Sequence, residues 1–449
     1  MKPTRRELIR DAVCGLGAAA FLSTFERFSQ LEAAVAGAAT DYRALVCLFL
    51  FGGNDGNNTV IPYDDYASYG KVRGSSLNIP QSAILKVSAP SQKAAFGLHP
   101  ALPELQALYE KGNLAVLCNV GTLAAPLTRA EYLAGAPRPD SLFSHADQQG
   151  QWQSSVVKST DPDAETGWGG RTADATASLN GVDFPMIVSV SGIPLFATGV
   201  NARPLVPGTG LQGFSKSAVS QARYGALRQI LTEDTTASLV GAASGITSSA
   251  IDNGNILNAA LAQGPAPTTT FPNTALGRQL QQIAGVIAVR SALKVSRQIF
   301  FASLGGFDTH TDEINTQQNL LTEVSQALNA FYDATVELGV AGSVTTFTLS
   351  DFGRTFQPAS GGGTDHAWGN HHFILGGSVK GGEFYGTYPT LSLGGPDDAT
   401  SEGRWIPTTS VDEYGATLAR WYGVDPQSLP AVFPDIGRFA TTNLGFLQS

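Results

Sequence analysis

The sequence predicts an α/β fold, with a mostly parallel central sheet flanked by helices. Three observations support this expectation. Short apolar runs rich in β-branched and aromatic residues have the length of buried strands. Longer stretches with apolar residues at helical spacing lie between them. Most of the apolar runs also exit into glycine-rich, polar or acidic turns, as strands do at the ligand-binding edge of an open parallel sheet.

In chain order, the expected strands are Ala44–Phe51, Leu114–Val120, Met186–Ser191, Gln298–Leu304 and Val344–Ser350. Their length and their glycine-rich exits favour strand over buried helix. The expected helices are Pro100–Lys111, which repeats leucine at helical spacing, the amphipathic stretch Ala275–Lys294 and the longer Glu313–Leu338. Residues 41–449 read as one α/β domain. It carries an insertion around 205–274 that is rich in Gly, Ala, Ser and Thr and ends in Gln263-Gly264-Pro265-Ala266-Pro267.

The N-terminal 36 residues read as an address. Arg5-Arg6, the small apolar run Ala12–Leu22 and Ala33-Ala34-Val35-Ala36 have the order of a twin-arginine export signal with its cleavage zone. The run is too short to span a bilayer, and no later stretch is long and charge-free enough to do so, so stable membrane insertion is not expected. The expected location is the periplasm or the outside of the cell. Net charge is −9, and loss of the signal's five basic and four acidic residues takes it to about −10. That balance argues against nucleic acid as a partner. Cys47 and Cys118 lie in apolar runs. They read as buried thiols that could pair only if their strands are neighbours, and no Cys-based zinc spacing exists.

The segment Ser350–His372 holds three of the six histidines in a chain that is only 14% charged. It adds Asp351, Arg354 and Asp365 to a run of glycines, a concentration of ligand and acid/base chemistry that architecture alone does not require. The strand-edge rule brings other exits to the same place: Asp55 after the first strand, Ser144-His145 beyond the second, and Asp308 and His310 after the fourth. Asp55, Asp308, His310, Asp351, His366, His371 and His372 together form an oxygen/nitrogen ligand set suited to a divalent metal such as zinc, manganese, magnesium or calcium.

Each residue also has a plain architectural use. Asp55 lies in turn chemistry, Asp308 and His310 could cap a loop, and Asp351 could cap the turn that follows it. His371 and His372 precede the apolar run Phe373-Ile374-Leu375, where alternation sends the two rings to opposite faces, so at most one enters the site directly. Arg354 could neutralise an anionic substrate or hold Asp351. Ser144 could be a nucleophile at a helix N-terminus or the cap of that helix, with Asp147 in its first turn.

These motifs together resemble the bacterial domain-of-unknown-function 1501 family. They are GGNDGNN at 52–58, SLFSHADQQGQWQ at 141–153, GWGGR at Gly167–Arg171, FDTH at Phe307–His310, SDFGRT at Ser350–Thr355 and DHAWGNHHFILGGSVKGG at Asp365–Gly382. That family in turn resembles the alkaline-phosphatase and sulfatase superfamily, which implies an alkaline-phosphatase-like fold and a one- or two-metal site hydrolysing phosphate or sulfate esters. By that resemblance Asp55 is the first-strand metal aspartate, Ser144 the nucleophile, Asp308 and Asp351 the aspartates of the metal pairs, and His366 or His372 the late histidine ligand. Phe352 departs from the pattern, which has histidine after the Asp351 equivalent. Asp312 stands where another histidine is usual, unless His310 substitutes.

The resemblance therefore implies an exported metal-dependent hydrolase with Ser144 and Arg354 in catalytic roles and an anionic ester or polysaccharide as substrate. The alternative is a catalytically degenerate member that binds an envelope polysaccharide or assists assembly.

Overall fold

The computed structural model describes residues 41–181, 184–208, 215–233, 235–236 and 238–448; the expected export signal lies outside them. Within Arg43–Ser449, one compact unit, the strands are β1 (Arg43–Leu50), β2 (Val60–Pro62), β3 (Leu85–Ala89), β4 (Ala94–Leu98), β5 (Leu114–Gly121), β6 (Ile187–Ser189), β7 (Arg297–Leu304), β8 (Val344–Ser350), β9 (Asn370–Leu375), β10 (Glu383–Gly386) and β11 (Thr409–Ser410). The main sheet runs β10-β5-β9-β8-β1-β7-β6, with β11 paired to β5. β1 pairs in parallel with β7 and β8, and β6 in parallel with β7. β9 is antiparallel to both β5 and β8. β5 therefore runs with β8, β1 and β7, and the carboxyl ends of these four strands share one edge, the arrangement predicted from their polar exits.

The mostly parallel sheet flanked by helices is thus the fold. β9 begins three residues before the expected apolar run, and β6 is shorter than its expected strand. The antiparallel sheet β2-β4-β3 was not anticipated. Its strands are short and partly exposed, so they lack the continuous apolar run that marks a buried strand.

Helices cover both faces: α1 (Pro103–Glu110), α2 (His145–Ser154), α3 (Trp168–Thr176), α4 (Ala275–Ala288), α5 (Glu313–Glu337) and α6 (Val411–Tyr422). Leu45, Cys47 and Phe49 alternate onto one face of β1, where they meet Trp168, Phe196, Phe347 and Tyr414 in a single buried cluster. α4 buries Leu276, Leu280, Ile283 and Ile287, and α5 buries Leu321, Val324, Leu328 and Phe331, each at an i, i+3/i+4 spacing. Thr274 starts α4 by accepting the Gly277 N–H, and Ser410 with Glu413 closes a capping box on α6.

The insertion contains two helices, Ala218–Ile230 and Ser238–Gln263. Cys47 and Cys118 are buried free thiols. β9 and β8 separate their strands, which removes the pairing alternative. No helix among the described residues is long and apolar enough to cross a membrane.

Candidate metal centre

The sharp turn after β1 organises the site. Gly52 and Gly53 have φ of +114° and +83°. A Cβ at Gly52 would lie 2.3 Å from the Asp308 backbone nitrogen, and one at Gly53 would lie 2.5 Å from the Phe352 ring. Only glycine lets the turn lie this close to the loops that follow β7 and β8. The turn also fixes Asp351, whose Oδ1 accepts the Gly52 N–H at 3.0 Å. Asn370 ties the same loops together by donating from Nδ2 to the Asn54 and Phe352 carbonyls.

Three imidazoles converge on Asp308 Oδ1. The Nε2 atoms of His145, His310 and His366 lie 3.4, 3.1 and 3.3 Å from it. Those of His310 and His366 are 3.0 Å apart. The opposite nitrogen of each ring faces an acceptor. His145 Nδ1 meets Asp351 Oδ2 at 2.7 Å, His366 Nδ1 meets the Phe143 carbonyl at 2.7 Å, and His310 Nδ1 meets Asp365 Oδ1 at 3.3 Å. A carbonyl or an ionised carboxylate can only accept, so the 2.7 Å contacts of His145 and His366 place their protons on Nδ1 and leave their Nε2 lone pairs facing inward.

Inward lone pairs and a carboxylate oxygen repel one another unless a cation lies between them. His145 Nε2 is a buried atom with no hydrogen-bond partner, as an unsatisfied ligand atom would be. The ligand atoms of His145, Asp308 and His366 all lie within 4.8 Å of one another. The 3.4 and 3.3 Å from Asp308 Oδ1 to His145 and His366 Nε2 match the edge of a tetrahedron, about 3.3 Å, generated by metal–ligand bonds of roughly 2.0–2.1 Å. The donor set therefore fits a divalent ion, with Asp351, the Phe143 carbonyl and Asp365 orienting the rings from behind.

The electrostatics agree with the geometry. Burial pushes the His366 imidazole below its usual range; the Phe143 carbonyl opposes that shift and the Arg354 charge adds to it. Burial tends to raise the Asp308 carboxyl. The Arg354 hydrogen bond and charge outweigh it, with help from His145 and His310, and hold the group below the usual carboxylate range.

Phe352 is fully buried, with ring centroids 4.9 Å from His145 and 4.7 Å from His366. It forms an apolar wall against two imidazoles. A cavity of about 450 Å³ opens on the other side, lined by His310, Thr355, Gln357, Asp365 and Glu402.

The other sequence candidates separate into distinct roles. Asp351 touches His145 rather than the centre of the cluster. It accepts also from Gln149 Nε2 at 2.8 Å. Arg354 is fully buried and donates to Asp308 Oδ1, the Gly52 carbonyl and both oxygens of Thr364. It balances Asp308 rather than presenting a free fork to a substrate or holding Asp351.

Ser144 caps α2 with its side chain turned to donate to Asp147 Oδ2 at 2.6 Å. The first N–H groups of α2 have no partner within the helix, which begins at His145.

The structure does not bring Asp55 into the cluster. Its two oxygens each lie 2.7 Å from Arg73 Nη2, both side chains are completely buried, and Glu313 Oε1 lies 4.0 Å from Arg73 Nη1. Nor does His372 reach it. Its Nδ1 lies 3.3 Å from Thr348 Oγ1 and its ring packs on Trp152, because the inward side of β9 at this position faces the core beneath α2. His371, on the opposite face, accepts from the Asn119 N–H and stacks on Tyr388. The two rings do take opposite faces, and both serve as buried structural histidines.

His145 is a candidate ligand that the sequence pattern leaves behind its neighbour Ser144. The available signal was its position: it opens the helix reached from β5, at the edge where Asp308 and Asp351 also exit.

Residues 42–429 match a family model described as protein of unknown function (DUF1501). The chain belongs to this family. No curated protein matches it in sequence. In three dimensions it is similar to the PsFucS1 sulfatase from Pseudoalteromonas sp., at 11% identity over 89% of this chain and 71% of that one, with a TM-score of 0.35. It is similar also to the lipoteichoic acid synthase LtaP from Listeria monocytogenes, at 8% identity over 87% and 74%, TM-score 0.34. A third similarity is to the phosphonate monoester hydrolase of Agrobacterium radiobacter, at 10% identity over 87% and 77%, TM-score 0.31. The chemistry open to this DUF1501 protein follows from its own side chains.

Proposed function

We propose that the protein is an exported, metal-dependent hydrolase of phosphate or sulfate esters. The observation that carries this reading is the convergence of His145, His310 and His366 on Asp308 Oδ1, each ring with its Nδ1 on an acceptor. His145, Asp308 and His366 would hold a divalent ion, with His310 beside them, and imidazole-rich ligation favours zinc or manganese over magnesium or calcium. Such an ion supplies Lewis acidity toward an ester oxygen.

The chain's own groups account for the remaining requirements. The Ser144 hydroxyl is directed at Asp147, a carboxylate placed to take its proton as Oγ bonds to phosphorus or sulfur and the ester bond breaks. The departing alkoxide takes up a proton as the alcohol, and water then cleaves the Ser144 ester to release phosphate or sulfate and restore the hydroxyl. The open N–H groups at the start of α2 face the negative charge of the ester. Phe352 keeps water from the inner side of the rings.

Metal analysis, chelation and turnover of p-nitrophenyl phosphate and p-nitrophenyl sulfate test this. One ion per chain, activity abolished by chelation and restored by zinc or manganese, and loss of turnover in Ser144→Ala are expected. A purified protein without stoichiometric metal, or with activity indifferent to chelation, overturns the reading.

A second reading, binding of an envelope polysaccharide or assembly without turnover, is favoured by two observations. Phe352 stands where the resemblance has histidine, and Arg73 occupies Asp55. Polysaccharide binding that survives Ser144→Ala in a protein inert on both esters would select it.

A further inference from the structure

Away from the metal centre, the β6 edge of the sheet carries a hollow that the proposed hydrolysis does not use. Leu205 runs back along β6, donating to the Ile187 carbonyl and accepting from the Ser189 N–H, both at 2.9 Å. Between this returning loop and the helix Ser238–Gln263 lies a cavity of about 670 Å³. Ile193, Leu205 and Val206 line it from the loop; Ile246, Ala250 and Leu257 line it from the helix. Pro185, Pro204 and Pro207 stiffen the loop wall, so the hollow is preformed.

The helix buries only Ser244 and Leu257 along its 26 described residues. Across the cavity, Ile246 and Ile193 remain 68% and 76% exposed. Apolar side chains facing one another across a walled gap lack a partner in the described residues.

The charge at this hollow is one-sided. Among the described residues Arg203 is the charged residue that lines it, and no acidic side chain does, in a chain of net charge −9. Arg203 Nη1 donates to the Gly199 and Ala202 carbonyls, which holds the guanidinium at the mouth without a carboxylate among the described residues. A volume within the roughly 300–1,000 Å³ of small-molecule sites suits one flexible chain better than a flat membrane or protein face.

We propose that this cleft binds a single-tailed anionic amphiphile, its alkyl chain between loop and helix and its carboxylate or phosphate headgroup on Arg203. The hydrophobic walls supply affinity, and the guanidinium selects an anionic head over a neutral one.

The test uses the full chain with a dansylated undecanoic acid as fluorescent probe, displaced in turn by laurate, dodecyl phosphate and dodecanol. Saturable binding at one probe per chain is expected. Laurate or dodecyl phosphate should displace it about tenfold better than dodecanol, and the stronger of the two identifies the headgroup. Ala250→Trp fills the hollow and should abolish binding while leaving the circular dichroism spectrum and thermal melt unchanged. Arg203→Met, an exposed position, should weaken the anionic ligands about tenfold and leave dodecanol unaffected.

No saturable binding by the parent protein overturns the proposal, as does undiminished binding in Ala250→Trp. Equal displacement by dodecanol overturns the assignment to Arg203. Sedimentation showing a dimer that Ala250→Trp dissociates would mean that a second copy covers this face, and would overturn it as well.

Discussion

Replacing Asp351 by asparagine tests the metal centre without touching a ligand. Asp351 receives three donors: Gly52 N–H on Oδ1 at 3.0 Å, and His145 Nδ1–H and Gln149 Nε2–H on Oδ2 at 2.7 and 2.8 Å. Asparagine has one acceptor oxygen and one donor amide in the same space. If its oxygen faces His145 and Gln149, its NH₂ confronts the Gly52 N–H, which loses its partner in a buried turn. If its oxygen faces Gly52, its NH₂ donates to His145 Nδ1 and drives the imidazole proton to Nε2, where it blocks ligation. Either orientation orphans a buried donor or removes a ligand, at a cost of about 1–3 kcal/mol. Metal affinity should therefore fall roughly 10- to 100-fold, the range for loss of a carboxylate behind a ligating histidine. Competition with a chromophoric zinc chelator measures the change, and thermal melts of the metal-free proteins separate it from misfolding. Unchanged zinc affinity in a folded Asp351→Asn protein would refute the assignment of His145 as a ligand held by Asp351.

Two further outcomes follow from buried rings. Phe352→Ala should lower stability by about 3–5 kcal/mol in chemical denaturation, because Phe352 is fully buried against His145 and His366 and its loss leaves a cavity; a cost below about 1 kcal/mol would contradict its role as a wall. Burial pushes both His371 and His372 down to about 3. In the unfolded chain each titrates near 6.5, so the unfolded state takes up protons first as pH falls. The stability gained by keeping the rings neutral is then fully present above pH ~6.5 and is lost as pH drops through that value toward about 3. His372→Gln should make the acid side of the stability profile shallower by one proton, about 1.4 kcal/mol per pH unit, and an unchanged slope would show that His372 is not the group responsible.

The sheet was legible because its strands are buried on both faces. Ala44–Phe51 reads as a continuous apolar run, Gln298–Leu304 and Val344–Ser350 as short runs rich in β-branched and aromatic residues, and each lies within a residue or two of β1, β7 and β8. β10 and β11 are short edge strands with little apolar character, and nothing local marks them. The convergence of Asp308, His310, Asp351 and His366 at one edge was legible too, because a parallel sheet places its strand exits together. The orientation of individual side chains within that edge was not. A sequence does not say that Asp55 turns inward to Arg73, because Arg73 lies in a different element, 18 residues away, and arrives only through tertiary packing. Likewise, strand alternation sends His371 and His372 to opposite faces, but it does not reveal that Trp152 already occupies the space in front of His372.

Arg73 also bears on how many ions the site can hold. Asp55, where the resemblance has a metal aspartate, shares the completely buried Arg73 guanidinium with Glu313. Burial pushes the Glu313 carboxyl up, and the neighbouring Asp55 charge pushes the same way. Two carboxyls around one arginine offer the oxygen atoms of a carboxylate cation site, with an organic cation in the ion's place. Arg73→Ala should therefore do more than destabilise. Removing one partner of a buried pair costs about 3–5 kcal/mol, because Asp55 is left charged and unpaired. A divalent ion that enters between Asp55 and Glu313 would restore part of that loss by mass action, which acts only through binding to the folded state. The expected result is a metal-free variant of low thermal stability whose melting temperature rises with zinc or manganese more steeply than the parent's, with stoichiometry moving from one ion to two. A variant whose melting temperature responds to metal no more than the parent's would show that Asp55 and Glu313 cannot act as ligands, even when Arg73 is removed.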